Sequence, residues 1–339
     1  MSYVYEYLVF LAQAVTVVGA ILVVLSAVAS LAARKRSFAT GHLEVTRLND
    51  HLDNLRQSIE RAVLPAGEFK KAVKAAAKKK KRERDKGDPE DGPPGRVFVV
   101  AFKGDLQASR VNQLRHEINA ILSEARDGDE VVACVESPGG LVHGYGLAAS
   151  QLLRVRERKL QLVVAVDKVA ASGGYLMAAV ANRVIAAPFA VVGSIGVVAQ
   201  IPNLHRLLKK KDVDVEVLTA GKYKRTLTVL GENTEEGRRK FIEEMQDLHA
   251  LFQEFVVDKR PGLDLEKVAT GEAWYGQRAI ELNLVDEIMT SDEYLMNRCA
   301  DSEVYEIRWA EPKKPLEKLL AQVDAGIGRL NSLLFRGAG

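Results

Sequence analysis

The sequence has few of the residues from which metal sites, disulfide frameworks and histidine-based active sites are built. Its 339 residues include two cysteines, Cys134 and Cys299, and six histidines. Two cysteines form at most one bridge, and Cys134 lies in the apolar run VVACV, which favours a buried free thiol. Cysteine content therefore predicts no metal site and does not define the cellular compartment.

The chain also lacks a general excess of positive charge. Its formal net charge is +3, yet residues 70–86 alone hold ten Lys and Arg against Glu83 and Asp85, a net of +8. The remainder therefore carries −5, which argues against a protein that coats nucleic acid. The basic run passes into KGDPEDGPPG, so residues 70–95 are predicted to form a basic Pro/Gly linker, with anionic lipid headgroups as an alternative partner for its lysines.

No Lys or Arg precedes the long apolar stretch near the N-terminus. No charge interrupts residues 7–33, and the run from Leu8 is long enough to cross a bilayer as a helix. Its length and the missing basic leader argue against a cleavable signal peptide, so residues 1–36 are predicted to be a transmembrane anchor. The basic residues 34–36 follow it directly, and the positive-inside rule then places the large domain in the cytoplasm.

Two further segments have helical periodicity. Residues 37–69 carry one apolar stripe, which predicts a helix that either joins protomers as a short coiled coil or packs on its own domain. Residues 301–339 are predicted to form a C-terminal amphipathic helix that either closes the core or contacts a neighbouring protomer. The N-terminal stripe is Leu48, Leu52, Leu55, Ile59 and Val63, and the C-terminal one is Leu316, Leu319, Leu320, Val323, Ile327, Leu330 and Leu334.

Residues 96–300 read as one globular α/β domain. Nearly continuous apolar strands, RVFVVAF, EVVACVES and LQLVVAV, alternate with segments of helical periodicity, which is typical of parallel strands buried on both faces. Residues 173–198 could be misread as a second membrane span. Asn182, Arg183 and Pro188 interrupt them, and an arginine at mid-membrane is costly, so a buried core is favoured.

Ser172 stands at the centre of this domain, where a strand passes through a turn into a helix. A serine at a helix N-terminus can attack a carbonyl while free backbone amides stabilise the negative charge that develops. The alternative is that Ser172 only caps the helix. A second glycine turn, Ser137-Pro-Gly-Gly, also follows a strand, and in an open α/β sheet the active crevice lies beyond such strand ends.

Ser172 needs a general base, and the sequence offers two kinds. Of the six histidines only His143, just after the first glycine turn, is a candidate. The others are His42 and His51 in the appendage, His116 and His249 in helical patterns, and His205 before a Lys-rich helix end. The segment DVEVLTAGKYKRT places Lys222 and Lys224 after a predicted strand, and a buried lysine that loses its proton can activate a serine hydroxyl.

The phrases SPGG, ASGGY, GKYKR and GEAWYGQRAIELNLVDEI occur in this order, and together they resemble the signal peptide peptidase A family of membrane serine proteases. The resemblance implies a ClpP/crotonase-type α/β fold, a Ser172/Lys224 dyad, and an oxyanion hole from the amides of Gly173 and Gly140. It implies no metal or cofactor, apolar or signal-peptide-derived substrates, and anchoring in the bacterial inner membrane, with family members often facing outward.

The family resemblance also bears on assembly and on rival functions. Larger members carry two tandem cores and this chain has one, so the resemblance implies a ring-shaped homo-oligomer in which a neighbour supplies the lysine. A crotonase-like acyl-CoA enzyme would share the fold and the oxyanion glycines, and an inactive membrane scaffold would keep the anchor and helices. Lys224 and the anchor count against the acyl-CoA enzyme.

Overall fold

The computed structural model describes residues 41–85 and 95–311, together with residues 9, 11, 13 and 15–19. Residues Glu44–Arg308 form one compact unit, and Met1–Leu43 with Trp309–Gly339 form a second. Most of the predicted anchor and the stripe that starts at Leu316 lie outside the described residues. Among the described residues, no helix combines the length and hydropathy that a bilayer span requires.

The strands and helices alternate along most of the chain. The strands are β1 (His42–Arg47), β2 (Arg96–Lys103), β3 (Glu130–Glu136), β4 (Gln161–Val166), β5 (Val169–Ala171), β6 (Arg183–Ala186), β7 (Val191–Gly193), β8 (Ala273–Tyr275), β9 (Glu287–Ile288) and β10 (Glu303–Ala310). The helices are α1 (Leu48–Val63), α2 (Ala66–Asp85), α3 (Val111–Glu124), α4 (Val142–Glu157), α5 (Gly173–Ala179), α6 (His205–Lys209), α7 (Glu235–Lys259), α8 (Leu265–Val268), α9 (Gly276–Ala279) and α10 (Ser291–Asp301).

The strands form two sheets. Seven lie in the order β1-β10-β2-β3-β4-β6-β9, and from β10 to β9 each neighbouring pair is parallel. The smaller sheet has the order β5-β7-β8, with β5 and β7 parallel and β7 and β8 antiparallel. Because β2, β3 and β4 are almost wholly buried, their apolar runs are the core that the sequence predicts. The α/β class is thus confirmed.

Three segments refine the organisation predicted from sequence. Helix α2 runs to Asp85, so the lysine-rich part of the predicted linker 70–95 is helical; its Ala, Lys and Glu residues are strong helix formers. The strand predicted before Lys222 is wrong, since residues 213–219 have no regular secondary structure. In the C-terminal segment 301–339, helix α10 ends at Asp301 and residues Glu303–Ala310 form a strand, β10, where the sequence predicted a helix.

Helix α1 begins at Leu48, where the apolar stripe begins. Leu48 packs against the buried core of the main sheet, whereas Leu55, Ile59 and Val63 are exposed. The first turn of the helix is therefore fixed to its own domain. The coiled coil remains an open interpretation of the exposed remainder.

A buried ion pair joins the first residue of β2 to the turn before β3. Asp129, only 5% exposed, accepts hydrogen bonds from Arg96 Nη2 at 2.5 Å, Arg96 Nε at 3.1 Å and the Arg126 amide at 2.7 Å. Burial opposes ionisation of Asp129, but the bonds from Arg96 and Arg126 outweigh it and hold the pKa of the carboxyl below its usual value.

We expect Asp129→Asn to lower the free energy of unfolding at pH 7 by about 3 kcal/mol, because it breaks a buried ion pair on one side. Since the folded state lowers the pKa of Asp129, the contribution of its charge to stability is present above about pH 4 and is lost as the pH falls through the lowered pKa. Denaturant unfolding at pH 7 and pH 3 measures this. Asp127→Asn, at an exposed position of the same turn, is the control; equal losses in both variants would contradict the prediction.

Candidate active site

The two glycine turns lie side by side although their strands belong to different sheets. The Ser137 amide donates to the Val169 carbonyl at 2.8 Å, and the Ala171 amide donates to the Ser137 carbonyl at 3.0 Å. Ser137 thereby forms a parallel bridge with Ala170. The turn that follows β3 is thus attached to the strand that ends at Ser172.

Ser172 has the strained backbone of a functional turn. Its φ is +52° and its ψ is −119°, a conformation that non-glycine residues rarely adopt. Its amide donates to the Gly193 carbonyl at 2.8 Å, and its carbonyl accepts from Leu176 in α5. Although Ser172 precedes the helix, its side chain makes no capping hydrogen bond. The capping role that the sequence left open is therefore wrong, and the hydroxyl is not committed to the helix.

Glycines allow the two turns to approach so closely. A Cβ on Gly139, whose φ is +94°, would lie 2.7 Å from the Ser172 Cβ. A Cβ on Gly174 would lie 2.5 Å from the Ser137 carbonyl oxygen, and one on Gly140 would overlap the Leu106 carbonyl. Real Cβ atoms do not come so near to other atoms, so each of these positions requires glycine.

The backbone amides around Ser172 differ in whether they already donate a hydrogen bond. The Gly139 N–H donates to Ser137 Oγ at 3.1 Å. Within the described ranges, neither the Gly140 nor the Gly173 amide has a hydrogen-bond acceptor. Gly173 is the first residue of α5, where such free N–H groups are expected. The two amides named from the sequence are therefore available to a ligand.

We expect Gly139→Ala to reduce the peptide cleavage that the family resemblance implies by at least about 100-fold, because the new methyl group would push Ser172 away and would sit on a backbone with positive φ. The specific activity of the purified variant measures the loss, and a thermal melt checks that the variant is folded. Gly146→Ala is the control, since a Cβ there meets nothing within 4 Å and alanine favours the helix α4. Full activity in Gly139→Ala would contradict the close packing of the two turns.

The two candidate lysines have different surroundings. Lys222 Nζ pairs with Glu236 at 2.6 Å and lies over the Tyr223 ring, and the hydrogen bond to Glu236 raises its pKa. Lys224 is exposed in residues 210–234, which contain no helix or strand. In the part of the chain that the structure describes, no hydrogen bond joins Lys224 to Ser172. The Ser172/Lys224 dyad stays a prediction of the sequence motifs.

Other candidate groups are placed as follows. His143 is exposed at the start of α4, beside the first glycine turn. No cluster of His, Cys, Asp and Glu suited to a metal ion occurs in the described residues. Sequence reasoning missed Tyr145, whose buried hydroxyl contacts Ser137. The one signal that could have found it is a tyrosine placed one helical turn after a glycine turn.

Comparison with protein families decides the identity. Residues 2–152 match the family description "Peptidase family S49 N-terminal", and residues 154–304 match "Peptidase family S49". The chain belongs to peptidase family S49. This is a family of serine peptidases, so the resemblance drawn from the four sequence motifs is confirmed at the level of the family.

Relatives of this S49 chain include two bacterial proteins. "Probable protease SohB" of Haemophilus influenzae is 47% identical over 326 residues, which are 94% of this chain and 92% of that protein. "Probable protease SohB" of Buchnera aphidicola subsp. Schlechtendalia chinensis is 44% identical over 309 residues, 88% of this chain and all of that protein. Among solved structures, a membrane-bound stomatin-specific protease, 1510-N, is 12% identical with a TM-score of 0.41, covering 65% of this chain and 100% of that one.

Proposed function

We propose that this S49 peptidase is a membrane-anchored serine endopeptidase with Ser172 as its nucleophile. One observation carries the assignment: Ser172 has a positive φ between a strand and a helix, with its hydroxyl unused by the helix and a glycine backbone packed against its Cβ. A strained turn of this kind presents a nucleophilic side chain toward a substrate. Family membership favours peptide hydrolysis over acyl-CoA chemistry and over an inactive scaffold.

The proposed base is Lys224. Lys222 is a poor choice, because Glu236 stabilises its protonated form. In the reaction, neutral Lys224 accepts the Ser172 proton as Oγ attacks the peptide carbonyl carbon. The tetrahedral oxyanion accepts hydrogen bonds from the Gly173 and Gly140 amides. Collapse breaks the C–N bond, and the leaving amine takes the proton from Lys224. Water, deprotonated by the same lysine, then attacks the acyl carbon; the ester bond to Oγ breaks, and Ser172 takes the proton from Lys224, which is neutral again.

We propose that the Lys224 serving each Ser172 comes from a neighbouring protomer in a ring. Two observations support this. Lys224 makes no bond to Ser172 within the described chain, and the stretch 196–234 that carries it exposes large apolar side chains, with Val198 and Leu218 92% and 88% exposed. In the proposed ring, a neighbouring protomer would cover these apolar side chains.

The proposed substrates are extended apolar peptides, such as signal-peptide remnants or misfolded membrane-associated chains. Leu106, Leu141 and Val142 are exposed beside the SPGG turn, and the Leu141 amide donates to the Leu106 carbonyl at 2.8 Å. These side chains provide an apolar wall next to the proposed oxyanion site. An apolar substrate side chain placed there would bury its surface favourably.

The proposed location is the bacterial inner membrane, with one anchor helix in residues 8–33. The basic residues 34–36 favour a cytoplasmic catalytic domain by the positive-inside rule. Protease accessibility in spheroplasts tests the side: an outward-facing domain is degraded by external protease, whereas a cytoplasmic domain is protected until the membrane is disrupted.

A fluorophosphonate probe tests the nucleophile. The probe should phosphonylate Ser172, located by mass spectrometry of the digested protein, and Ser172→Ala should abolish the labelling. Ser194→Ala is a matched control, because Ser194 also has a positive φ, +53°, and should not react. A label that persists in Ser172→Ala would overturn the assignment.

A further inference from the structure

Tyr145 is a fully buried residue of α4 that contacts both glycine turns. Its hydroxyl donates to the Asp105 carbonyl at 2.8 Å and forms a short hydrogen bond with Ser137 Oγ. Its ring lies against the backbone of Gly173, where a Cβ would come within 2.4 Å of the ring. A single side chain therefore contacts the SPGG turn on one side and the residue after Ser172 on the other.

The hydrogen bonds form one chain with a single direction. Because the Tyr145 proton goes to the Asp105 carbonyl, the Ser137 hydroxyl donates to Tyr145, and Ser137 Oγ is left to accept the Gly139 N–H at 3.1 Å. Each hydroxyl donates one hydrogen bond and accepts one, so both hydroxyl groups are satisfied. Hydrogen bonds in such chains polarise and strengthen one another at buried sites.

The surroundings keep this arrangement fixed. Gly104 leaves the room that the two hydroxyls need, since a Cβ there would lie 2.4 Å from the Tyr145 oxygen. Phe102 packs edge-on against the Tyr145 ring, with 6.2 Å between the two ring centroids. Burial raises the pKa of Tyr145, which keeps its hydroxyl protonated and able to donate. The Asp105 carboxylate accepts the Ser109 amide at 2.8 Å and so holds the far end of the chain.

We propose that Tyr145 is a positioning residue: with Ser137 it fixes the SPGG turn so that the Gly139 amide is occupied and the Gly140 amide stays free to bind the oxyanion together with the Gly173 amide. This proposal rests on the proposed peptidase function. Tyr145 touches no substrate atom in this scheme. Its effect is transmitted through Ser137 and the turn, and through the contact of its ring with Gly173.

Tyr145→Phe tests the proposal, because it removes the hydroxyl and keeps the ring. We expect kcat to fall by about 10- to 100-fold with KM nearly unchanged, since a misaligned donor weakens transition-state stabilisation more than substrate binding. The rate of fluorophosphonate labelling at Ser172 should fall in parallel. Ser137→Ala should give a similar loss, and the double variant should be scarcely worse than either single one, because both break the same chain.

Tyr175→Phe is the matched control. Tyr175 is also fully buried, and its hydroxyl donates to the Leu284 carbonyl at 3.0 Å, away from the SPGG turn. The Tyr175→Phe variant should lose about as much stability as Tyr145→Phe and should keep the wild-type kcat.

Equal kcat in Tyr145→Phe and wild type, or additive losses in the double variant, would overturn the positioning role. If Tyr145→Phe does not fold, Ser137→Ala decides alone. A wild-type chain that neither cleaves peptides nor reacts with the probe would instead refute the peptidase proposal.

Discussion

Ser172→Ala and Lys224→Ala should each lower peptide cleavage by about 1,000-fold or more. The serine variant has no nucleophile, and the lysine variant has no group to accept the serine proton or to activate water. In serine hydrolases these groups act as a unit, so removing either one costs nearly as much as removing both. Initial rates with a quenched fluorescent peptide, measured on purified full-length protein in detergent, provide the test.

Two controls make the result specific. Lys222→Ala removes the neighbouring lysine that pairs with Glu236, and His143→Ala removes the histidine beside the first turn; both should keep most of the activity. Circular dichroism should show that all four variants fold. Loss of cleavage in a folded His143→Ala protein, with Lys224→Ala active, would reassign the base to histidine.

Mixing the two inactive variants should restore activity. If each site combines Ser172 of one protomer with Lys224 of the next, a Ser172→Ala chain still supplies a lysine and a Lys224→Ala chain still supplies a serine. In a closed ring with random equal mixing, about one quarter of the sites are complete. The expected result is a rise from background to about one quarter of the wild-type rate after the two variants are dissociated and reassembled together.

A second mixture separates this arrangement from a dyad within one chain. Wild type mixed equally with the double variant Ser172→Ala, Lys224→Ala leaves about one quarter of the sites complete in a shared ring, but one half if each chain holds its own dyad. Cross-linking shows that the chains have co-assembled. Co-assembled single variants that remain inactive would exclude the shared site.

The parts of this molecule that local sequence could predict are those where neighbours along the chain decide the structure. The apolar runs of β2, β3 and β4 and the stripe that begins at Leu48 have the periodicities of their elements. The strand–turn–helix around Ser172 is equally local. Its positive φ was not predictable from propensity, because only packing against Gly139 and the bond to Gly193 select it.

The features that the sequence failed to predict depend on contacts between residues far apart in the chain. The β-branched run DVEVLT resembles a strand, but a strand needs a partner edge, and the single chain gives this segment none among the described strands. From the sequence, Tyr145 is indistinguishable from an ordinary helical residue. Its role depends on contacts with Asp105, 40 residues earlier, and with Gly173. The separation of β3 and β5 into two sheets likewise depends on pairing that spacing alone does not define.

The position of β10 has a consequence for synthesis of the protein. This strand is the last described element, yet it lies between β1 and β2, with Glu303 paired in register with Arg96 and bonded to Arg47 at 2.9 Å. Until the ribosome has released residues 303–310, the edge of β2 is unpaired and attractive to other strands. The nascent chain therefore carries an open template for aggregation through most of its translation, and the sheet is completed only when the strand from the far end of the domain inserts.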